Sequence, residues 1–411
     1  MGNIVNDDSR MSKKIYLDNA ATTEIRLEVL EAMLPFLKDY YGNPSSLYAP
    51  AMYVREAMDK ARESVAKLIN ADPKEIYFTS GGTESDNWAI KSVAYDNKSK
   101  GDHIITSKIE HPAVLRTCEF LEKNGFKVTY LDVDEFGTVN PKDVERAILP
   151  ETILITIMHA NNEIGTVEPI HEIAEIAKNH NVLFHTDAVQ AFGHLPIDVK
   201  EGNIDLLSAS GHKIYGPKGV GMLYIRKGLK LTPLLHGGEQ EFRQRAGTEN
   251  VPGIVGMGKA AELAMESMEK RMTNVTEVRD YAIGRMLEEI QYTKLNGHRN
   301  ERLPNNVNIS FRFVEGESLL MMMNQRGVFV STGSACASGS LDPSHVLMAI
   351  GLPHEIAHGS IRFTISYKTT KEDIDVAIEA IKDSVSRLRE MSPLYADHLD
   401  REKKETNEEA K

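Results

Sequence analysis

Short apolar runs alternate with longer amphipathic segments through the first 225 residues of the chain. The runs are rich in Ile, Val, Leu, Phe and Tyr, which is typical of buried strands, and the intervening segments have the length of helices. We predict strands at 75–79, 103–107, 126–131, 153–158, 182–186, 205–209 and 220–225. Strands separated by helices pair in parallel. This part of the chain therefore predicts an α/β fold with a mainly parallel seven-stranded sheet covered on both faces.

The pattern changes after about residue 260. A long helical stretch is followed by predicted strands at 306–311, 328–331 and 360–366 and by a helix at 371–389. We therefore assign 23–262 to a large domain, and 1–22 with 263–411 to a smaller α+β domain. Residues 397–411 are almost wholly charged and polar, and we expect this tail to fray.

Composition narrows the function classes. The chain has 411 residues and a formal charge of −12, without the basic stripe of a duplex-binding surface, so we expect no direct nucleic-acid ligand. No apolar run reaches the ~18 residues needed to span a bilayer, and we expect no membrane association. Two cysteines, Cys118 and Cys336, cannot form a disulfide framework and indicate a reducing compartment. We predict a cytoplasmic protein.

A glycine-rich loop at 210–219, Ser-Gly-His-Lys-Ile-Tyr-Gly-Pro-Lys-Gly, follows a predicted strand. Such loops at the carboxyl edge of a sheet often carry function, and a lysine there can form a Schiff base if its pKa is lowered. The alternative is that Lys213 and Lys218 are two ordinary solvated lysines.

A second loop strengthens the first interpretation. The apolar strand at 182–186 ends on Asp187, with Gln190 three residues later. Pyridoxal phosphate (PLP) needs an acid at its pyridine nitrogen, because a protonated ring is the better electron sink. The alternative for Asp187 is an ordinary helix N-cap.

A third loop, Ser-Gly-Gly-Thr-Glu at 80–84, lies between a predicted strand and a helix. Glycine allows close approach of the backbone, and a helix N-terminus attracts phosphate. The loop lacks the Gly-Lys-Ser/Thr ending of a nucleotide-binding P-loop.

Together these loops resemble the fold-type I PLP enzymes, and other motifs narrow the resemblance to the cysteine desulfurases. Matching segments run from about residue 15 to residue 394, with consistent spacing. They are 16–23, 42–46, 79–87, 110–111, 158–165, 187–190, 210–219, 245–248 and 331–340. The segment around Cys336 resembles the family branch with a longer, mobile cysteine loop, here about 331–343.

The resemblance implies roles around the PLP ring. Lys213 would bind PLP covalently and later move protons, and Asp187 would pair with the pyridine nitrogen. Gln190 and Asn162 would bond the phenolic oxygen of the ring. His111 would stack on the ring and assist proton transfer.

The resemblance implies a second set of roles at the phosphate. Gly82, Thr83, Ser210 and His212 would hold this group. Thr248 would reach the same phosphate from a second subunit, so the resemblance implies a homodimer.

At the substrate, the resemblance assigns Asn43 and Arg362 to the carboxylate of L-cysteine, Arg362 as a bidentate fork. Cys336 would attack the substrate sulfur, giving alanine and a persulfide on Cys336. The sulfur would then pass to an acceptor protein, such as an iron–sulfur scaffold or a tRNA thiolation enzyme.

Other functions compete with this one. A selenocysteine lyase or another sulfur-eliminating PLP enzyme is the alternative within the class, although simple elimination needs no protein thiol. A non-catalytic sulfur-assembly scaffold would not need Lys213 and Asp187. The sequence 354–358 is a literal His-Glu-x-x-His, the zinc-peptidase pattern, but Pro353 precedes it and Gly359 follows it, so we expect neither the required helix nor a metal.

Overall fold

The computed structural model describes residues 14–332 and 343–409, with side chains up to residue 404. The first 13 residues and most of the predicted cysteine loop, including Cys336, lie outside the described residues. Among the helices that are described, none combines the length and hydropathy of a membrane-spanning segment.

The elements alternate as the sequence pattern predicts. The described strands, β1 to β12 along the chain, are Ile15–Tyr16, Ile76–Thr79, His103–Ser107, Lys127–Leu131, Thr152–Thr156, Leu183–Asp187, Leu206–Ser210, Gly221–Ile225, Thr293–Leu295, Asn306–Phe311, Val328–Phe329 and Ser360–Thr364. The described helices, α1 to α13, are Leu27–Lys38, Ala49–Leu68, Gly82–Asp96, Pro112–Lys123, Pro141–Ala147, Ile170–Asn179, Gln240–Arg243, Val251–Glu289, Gly316–Gln325, His345–Ala349, His354–His358, Lys371–Glu390 and Pro393–Glu409. Single 3₁₀ turns form at Pro73–Glu75 and Gly211–Lys213.

Strands β2 to β8 form one seven-stranded sheet in the order β2-β8-β7-β6-β5-β3-β4. All neighbours pair in parallel except β8, which is antiparallel to both β2 and β7. Successive strand residues enter different cores: Ile105 and Leu207 belong to one apolar cluster, and Ile104 and Leu206 to another. Because successive side chains point to opposite faces, both faces of the sheet are buried. The predicted α/β class and mainly parallel seven-stranded sheet are confirmed.

The chain divides into two compact units. The large unit is Ala20–Thr273 with Gly297–Pro304, and the small unit is the rest. These bounds differ from the predicted 23–262, since the helical pattern of Val251–Glu289 continues without interruption past residue 262. The segment 297–304 belongs to the large unit because its backbone and side chains are tied there. Arg302 Nη1, for example, donates to the Ile164 carbonyl over 2.6 Å.

The small unit contains an antiparallel sheet, β12-β10-β9, and a parallel pair, β1 with β11. Its own apolar cluster includes Phe311 and Phe363 from the sheet and Ile378 from α12. This unit has the mixed α+β character that the sequence predicts.

The prediction that residues 397–411 fray is wrong for most of the tail. Pro393–Glu409 forms a helix, whose His398 ring stacks on Phe313 with centroids 4.8 Å apart. The same imidazole meets the edge of the Tyr292 ring at 5.0 Å. These ring contacts hold a segment whose charged composition alone favours disorder.

Buried acids lie beneath the carboxyl edge of the large sheet. Glu110 is fully buried, and its Oε1 accepts hydrogen bonds from Ser107 Oγ at 2.8 Å and Met158 N at 2.9 Å. Burial raises the pKa of Glu110 to about 8, because desolvation disfavours the charged carboxylate. Burial also raises the pKa of Asp86, which the negative charge of Asp187 raises further.

We predict that Glu110 makes stability depend on pH. Its pKa is higher in the folded than in the unfolded chain, so its stabilising effect is complete below about pH 4.5 and disappears as the pH rises through about 8. The substitution Glu110→Gln removes this titration. Relative to wild type, the variant should therefore gain about 1 kcal/mol or more in unfolding free energy between pH 6 and pH 8.

Urea unfolding of both proteins at the two pH values measures this difference. The matched control is Glu135→Gln, an exposed glutamate in the same unit. A stability difference between wild type and Glu110→Gln that stays constant with pH would contradict the prediction.

Candidate active site

Strands β3, β5, β6 and β7 are parallel and end at one edge of the large sheet, and β2 runs in the same direction. Predicted site residues follow these ends. His111 comes after β3, Asn162 after β5, Lys213 after β7 and Gly82 after β2, while Asp187 is the last residue of β6. The topology thus gathers side chains that are far apart in sequence, at the edge where α/β proteins bind ligands.

Lys213 lies on the 3₁₀ turn after β7, and it is half-buried, whereas Lys218 is exposed. Its ammonium group donates hydrogen bonds to the carbonyls of Ala20 and Ala21, the second over 2.8 Å. His194 Nε2 lies 2.9 Å from the Lys213 carbonyl and donates to it. Backbone and side chain of this lysine are therefore both held.

The turn that carries Lys213 is fixed from both sides. Thr23 N and Oγ1 each donate to the His212 carbonyl over 3.0 Å, and Thr23 Oγ1 accepts from Tyr215 N at 2.9 Å. Tyr215 adopts a φ of 64°, which non-glycine residues rarely do.

Burial lowers the pKa of His194 to about 4, so this imidazole is neutral at physiological pH.

The Asp187 carboxylate is buried at the end of β6, and its Oδ1 accepts from Val189 N at 2.9 Å. The turn formed by this bond does not start a helix, so the N-cap alternative does not hold. Burial raises the pKa of Asp187, while the positive charges of His111 and Lys213 oppose that rise. The carboxylate thus lies within electrostatic reach of both predicted catalytic groups.

His111 is the N-cap of α4, and its Nδ1 accepts from Ala113 N at 3.1 Å. Because Nδ1 is the acceptor, the proton of the neutral ring is on Nε2. Gln190 Nε2 donates to the Ala20 carbonyl over 3.0 Å, so Gln190 and Lys213 share one acceptor. Asn162 is half-buried in the turn after β5.

A cleft of about 450 Å³ opens between β2, β7 and the N-terminus of α3. It is lined by four predicted phosphate ligands, namely Gly82, Thr83, Ser210 and His212. Lys218 also lines the cleft and adds positive charge. Burial is the main cause that lowers the pKa of His212 to about 4, and neighbouring lysines lower it further.

The residues around this cleft fit PLP. A Cβ on Gly82 would meet Val189 Cγ2 at 2.5 Å, so glycine at this position lets the start of α3 pack closely against Val189. The amides of that N-terminus suit a phosphate dianion. Lys213 suits the aldehyde, and the buried Asp187 carboxylate suits the protonated ring nitrogen.

The other predicted site residues do not line the cleft. In the large unit, Asn43 is exposed, and its Oδ1 accepts from Ser45 N at 2.9 Å; Thr248 is also exposed. Arg362 belongs to the small unit, where its buried guanidinium donates to Asp18 Oδ1 over 2.9 Å. Cys336 lies outside the described residues.

The His-Glu-x-x-His sequence forms only the single helical turn His354–His358 and does not lie inside a longer helix. Gly359 ends this turn, and β12 follows at once. In the part of the chain that the structure describes, no group of three or more His, Cys, Asp or Glu side chains could hold a metal ion. The zinc-peptidase interpretation therefore lacks a third ligand within that part.

Sequence reasoning missed the residues that hold the Lys213 turn and an ion pair at the rim of the cleft. Thr23 and His194 contact the backbone of the lysine turn but carry no recognisable spacing to it. Arg245 pairs with Glu84 at the cleft rim, with Nε–Oε1 and Nη2–Oε2 distances of 2.9 and 3.1 Å. The signal for that pair was weak: each residue stands in a matching motif, but the motifs are 161 residues apart.

Comparison with known proteins gives consistent relatives. Aminotransferase class-V matches residues 15–376. The cysteine desulfurase IscS of Methanosarcina thermophila is 57% identical, over 94% of this chain and 95% of that protein. The cysteine desulfurase IscS of Dictyoglomus turgidum is 58% identical, over 93% of this chain and 97% of that protein.

Solved structures agree. A NifS-like protein has a TM-score of 0.86 at 38% identity, covering 91% of this chain and all of that one. The structure described as SspA in complex with cysteine has a TM-score of 0.78 at 41% identity. The match covers 87% of this chain and all of that one. The fold is that of the fold-type I PLP enzymes, and PLP is the cofactor of this family. The chain belongs to the aminotransferase class-V family and, within it, to the cysteine desulfurases.

Proposed function

We propose that this enzyme removes the sulfur of L-cysteine, leaving L-alanine and a persulfide on Cys336. The observation that carries the proposal is the convergence of Lys213, Asp187 and His111 at the sheet edge that also holds the glycine-lined cleft. The reaction balances without a further reactant. Cysteine and the Cys336 thiol give alanine and Cys336–S–SH, as the substrate C–S bond breaks and an S–S bond forms.

The residues at and beside the cleft have separate roles in the proposed reaction. Lys213 Nζ takes the α-proton of the substrate and delivers a proton to the carbon that becomes the alanine methyl group. PLP, when bound, supplies the electron sink that stabilises negative charge next to the amino group. Asp187 would hold the ring nitrogen, Gln190 and Asn162 the phenolic oxygen, and His111 the ring face.

At the phosphate, Gly82, Thr83, Ser210 and His212 would supply donors, with the α3 N-terminus behind them. His212 is neutral at physiological pH and therefore contributes a hydrogen bond rather than a charge. Glu84 also lies in the first turn of that helix, and Arg245 offsets its negative charge.

Asn43 and Arg362 would bind the substrate carboxylate. The ion pair with Asp18 orients the Arg362 guanidinium. The chain that leads into the cysteine segment pairs with the same arginine, because Arg362 N donates to the Ser331 carbonyl over 2.7 Å. Cys336 follows Ser331 by five positions in the sequence, which supports its role as the sulfur acceptor.

A homodimer is supported by the exposed apolar surface of the large unit. Helix α1 presents a stripe of leucines at helical spacing, of which Leu27, Leu34 and Leu37 are 65%, 51% and 60% exposed. Exposed apolar patches of this kind mark protein interfaces. Thr248, the proposed ligand of a partner's phosphate, is exposed in its own chain, as a residue that contacts a second copy must be.

We further propose that the sulfur passes to an acceptor protein such as an iron–sulfur scaffold, in the cytoplasm. The relatives named IscS support an assembly role. The chemistry requires a free thiol at Cys336, which a reducing compartment maintains.

Replacement of Lys213 should abolish covalent attachment of PLP. In Lys213→Ala, borohydride treatment should leave no PLP on the 213 peptide, and alanine formation should fall by ~1000-fold or more, since proton transfer at Nζ is lost. Peptide mapping and an alanine assay measure both effects. The matched control is Lys230→Ala, an exposed lysine of the same unit. Reduced PLP found on Lys218 would contradict the assignment.

Replacement of Cys336 should separate substrate binding from sulfur transfer. Cys336→Ser should still bind L-cysteine and shift the cofactor absorbance. Alanine release should fall by ~100-fold or more, because a hydroxyl is a far poorer nucleophile than a thiolate. Mass spectrometry of wild type after brief exposure to cysteine should find about 32 Da added to the Cys336 peptide, the mass of one sulfur atom.

The control for this experiment is Cys118→Ala. Cys118 is fully buried, and burial raises the pKa of its thiol far above the physiological range. The folded control should therefore keep most of its activity. Added sulfur on Cys118, or near-normal alanine release by Cys336→Ser, would reject the persulfide mechanism.

A charge in the leucine stripe should break the dimer. Leu34→Asp would bury an unpaired carboxylate in the proposed interface, and we expect the dimer dissociation constant to rise by ~10-fold or more. Sedimentation over a concentration series measures it. The control is Leu149→Asp, the same substitution at a leucine that is 41% exposed and lies outside the stripe. A wild-type protein that sediments as a fully active monomer would refute the proposal.

A further inference from the structure

The chain between residues 241 and 243 has an unusual backbone. Glu241, Phe242 and Arg243 have φ angles of 45°, 57° and 69°, so three successive residues are left-handed and none is glycine. L-residues adopt this conformation singly and seldom in sequence, because Cβ crowds the backbone. Such a turn persists only where its surroundings hold it.

A buried ion pair holds the first residue of this turn. Arg62 on α2 binds Glu241 as a fork, with Nη1–Oε2 and Nη2–Oε1 distances of 2.7 and 2.8 Å. The side chains of Arg62 and Glu241 are only 6% and 3% exposed. The Arg62 guanidinium lies 4.7 Å from the Phe78 ring and 5.0 Å from the Phe242 ring, so it is enclosed on the side of the turn as well.

The same pair completes the edge of the large sheet. Strand β2 is an edge strand, and its outer side presents the Ile76 carbonyl and the Phe78 amide. Arg62 Nη1 donates to the Ile76 carbonyl over 2.7 Å, and Phe78 N donates to Glu241 Oε2 over 2.8 Å. The ion pair thus supplies the donor and acceptor that a neighbouring strand would offer.

Beyond the turn, the chain leads directly to the phosphate cleft. Arg245 pairs with Glu84, and Glu84 Oε2 accepts from Ser80 N at 2.9 Å on the rim of the cleft. Gly247 N donates to Gln240 Oε1 over 3.1 Å, which closes the loop. Residues 240–247 thus form a loop that is held by hydrogen bonds, and the exposed Thr248 follows it directly.

We propose that Arg62 and Glu241 are positioning residues for the cofactor phosphate. By fixing the left-handed turn against the edge strand, they set where Thr248 can meet the phosphate of a partner subunit. This inference rests on the proposed PLP-binding homodimer. It assigns a role in phosphate binding to residues that lie outside the cleft.

Comparing the binding of PLP with that of pyridoxal isolates the contribution of the phosphate to affinity. PLP and pyridoxal both carry the aldehyde that reacts with Lys213, and they differ only in the phosphate. The ratio of their dissociation constants for purified apoprotein therefore reports phosphate contacts. We expect Arg62→Met/Glu241→Leu to weaken PLP by about ten-fold or more, the loss of a hydrogen bond to a charged group, and pyridoxal by less than about two-fold.

The double variant replaces both charges by apolar groups of similar size, so it avoids an unpaired buried charge and is expected to fold. Arg62→Gln/Glu241→Gln is the second variant, which also removes both charges but keeps hydrogen-bonding groups beside the edge strand. The matched control is Glu239→Gln/Arg243→Gln, which removes an ion pair of the same turn that is 2.8 Å long but about three-quarters exposed on both sides. The control should leave the PLP-to-pyridoxal ratio unchanged.

A cycle with Thr248→Ala tests whether the pair acts through that hydroxyl. If it does, adding Thr248→Ala to the double variant should cost little further PLP affinity. Equal weakening of PLP and pyridoxal, or full additivity with Thr248→Ala, would overturn the inference. A wild-type protein that binds PLP no tighter than pyridoxal would instead refute the phosphate cleft of the proposed function.

Discussion

The burial of the Asp187 carboxyl group at the end of β6 constrains the rest of the site. The Asp187 carboxylate is only 5% exposed, and the side chains of Asp86 and Glu110 are buried nearby. A low-dielectric region does not accommodate several carboxylates at once, and burial raises the pKa of all three. Asp187 differs from its neighbours because the charges of His111 and Lys213 oppose that rise. Of the three acids, Asp187 is therefore the one whose charged form is favoured by neighbouring positive groups.

The phosphate end poses the opposite problem, since a dianion must be held without a dense cluster of cations. In the proposed site, this group would be held by backbone amides at the start of α3, by Ser210 and His212, and by an exposed lysine. Glycine at position 82 lets the start of α3 pack against Val189, because a Cβ there would meet the valine side chain. A carboxylate in the first turn of the same helix would compete with the phosphate. Arg245 neutralises that carboxylate, and the loop that carries Arg245 thereby becomes part of the binding architecture.

Local pattern was enough to predict the sheet, because each of its strands is a short apolar run between turn signals. Asp187 and Lys213 could also be found, since both stand at strand ends where parallel topology collects them. The tail helix could not be predicted, because aromatic rings from 292 and 313 hold it. Nor could the Arg62–Glu241 pair, whose members lie 179 positions apart. Long-range contacts of single polar residues leave no periodic signal, and they are what fixes the loops around the site.

The two cysteines show how burial can decide chemistry without any change of residue type. Cys118 is enclosed by apolar neighbours on α4, where desolvation raises the pKa of its thiol. A thiol that stays protonated is a poor nucleophile, and one with no exposed surface cannot meet a substrate. Cys336 instead stands in a sequence of glycine, serine and alanine. Of the two thiols in the chain, burial makes Cys118 inert, which leaves Cys336 as the acceptor in the proposed reaction.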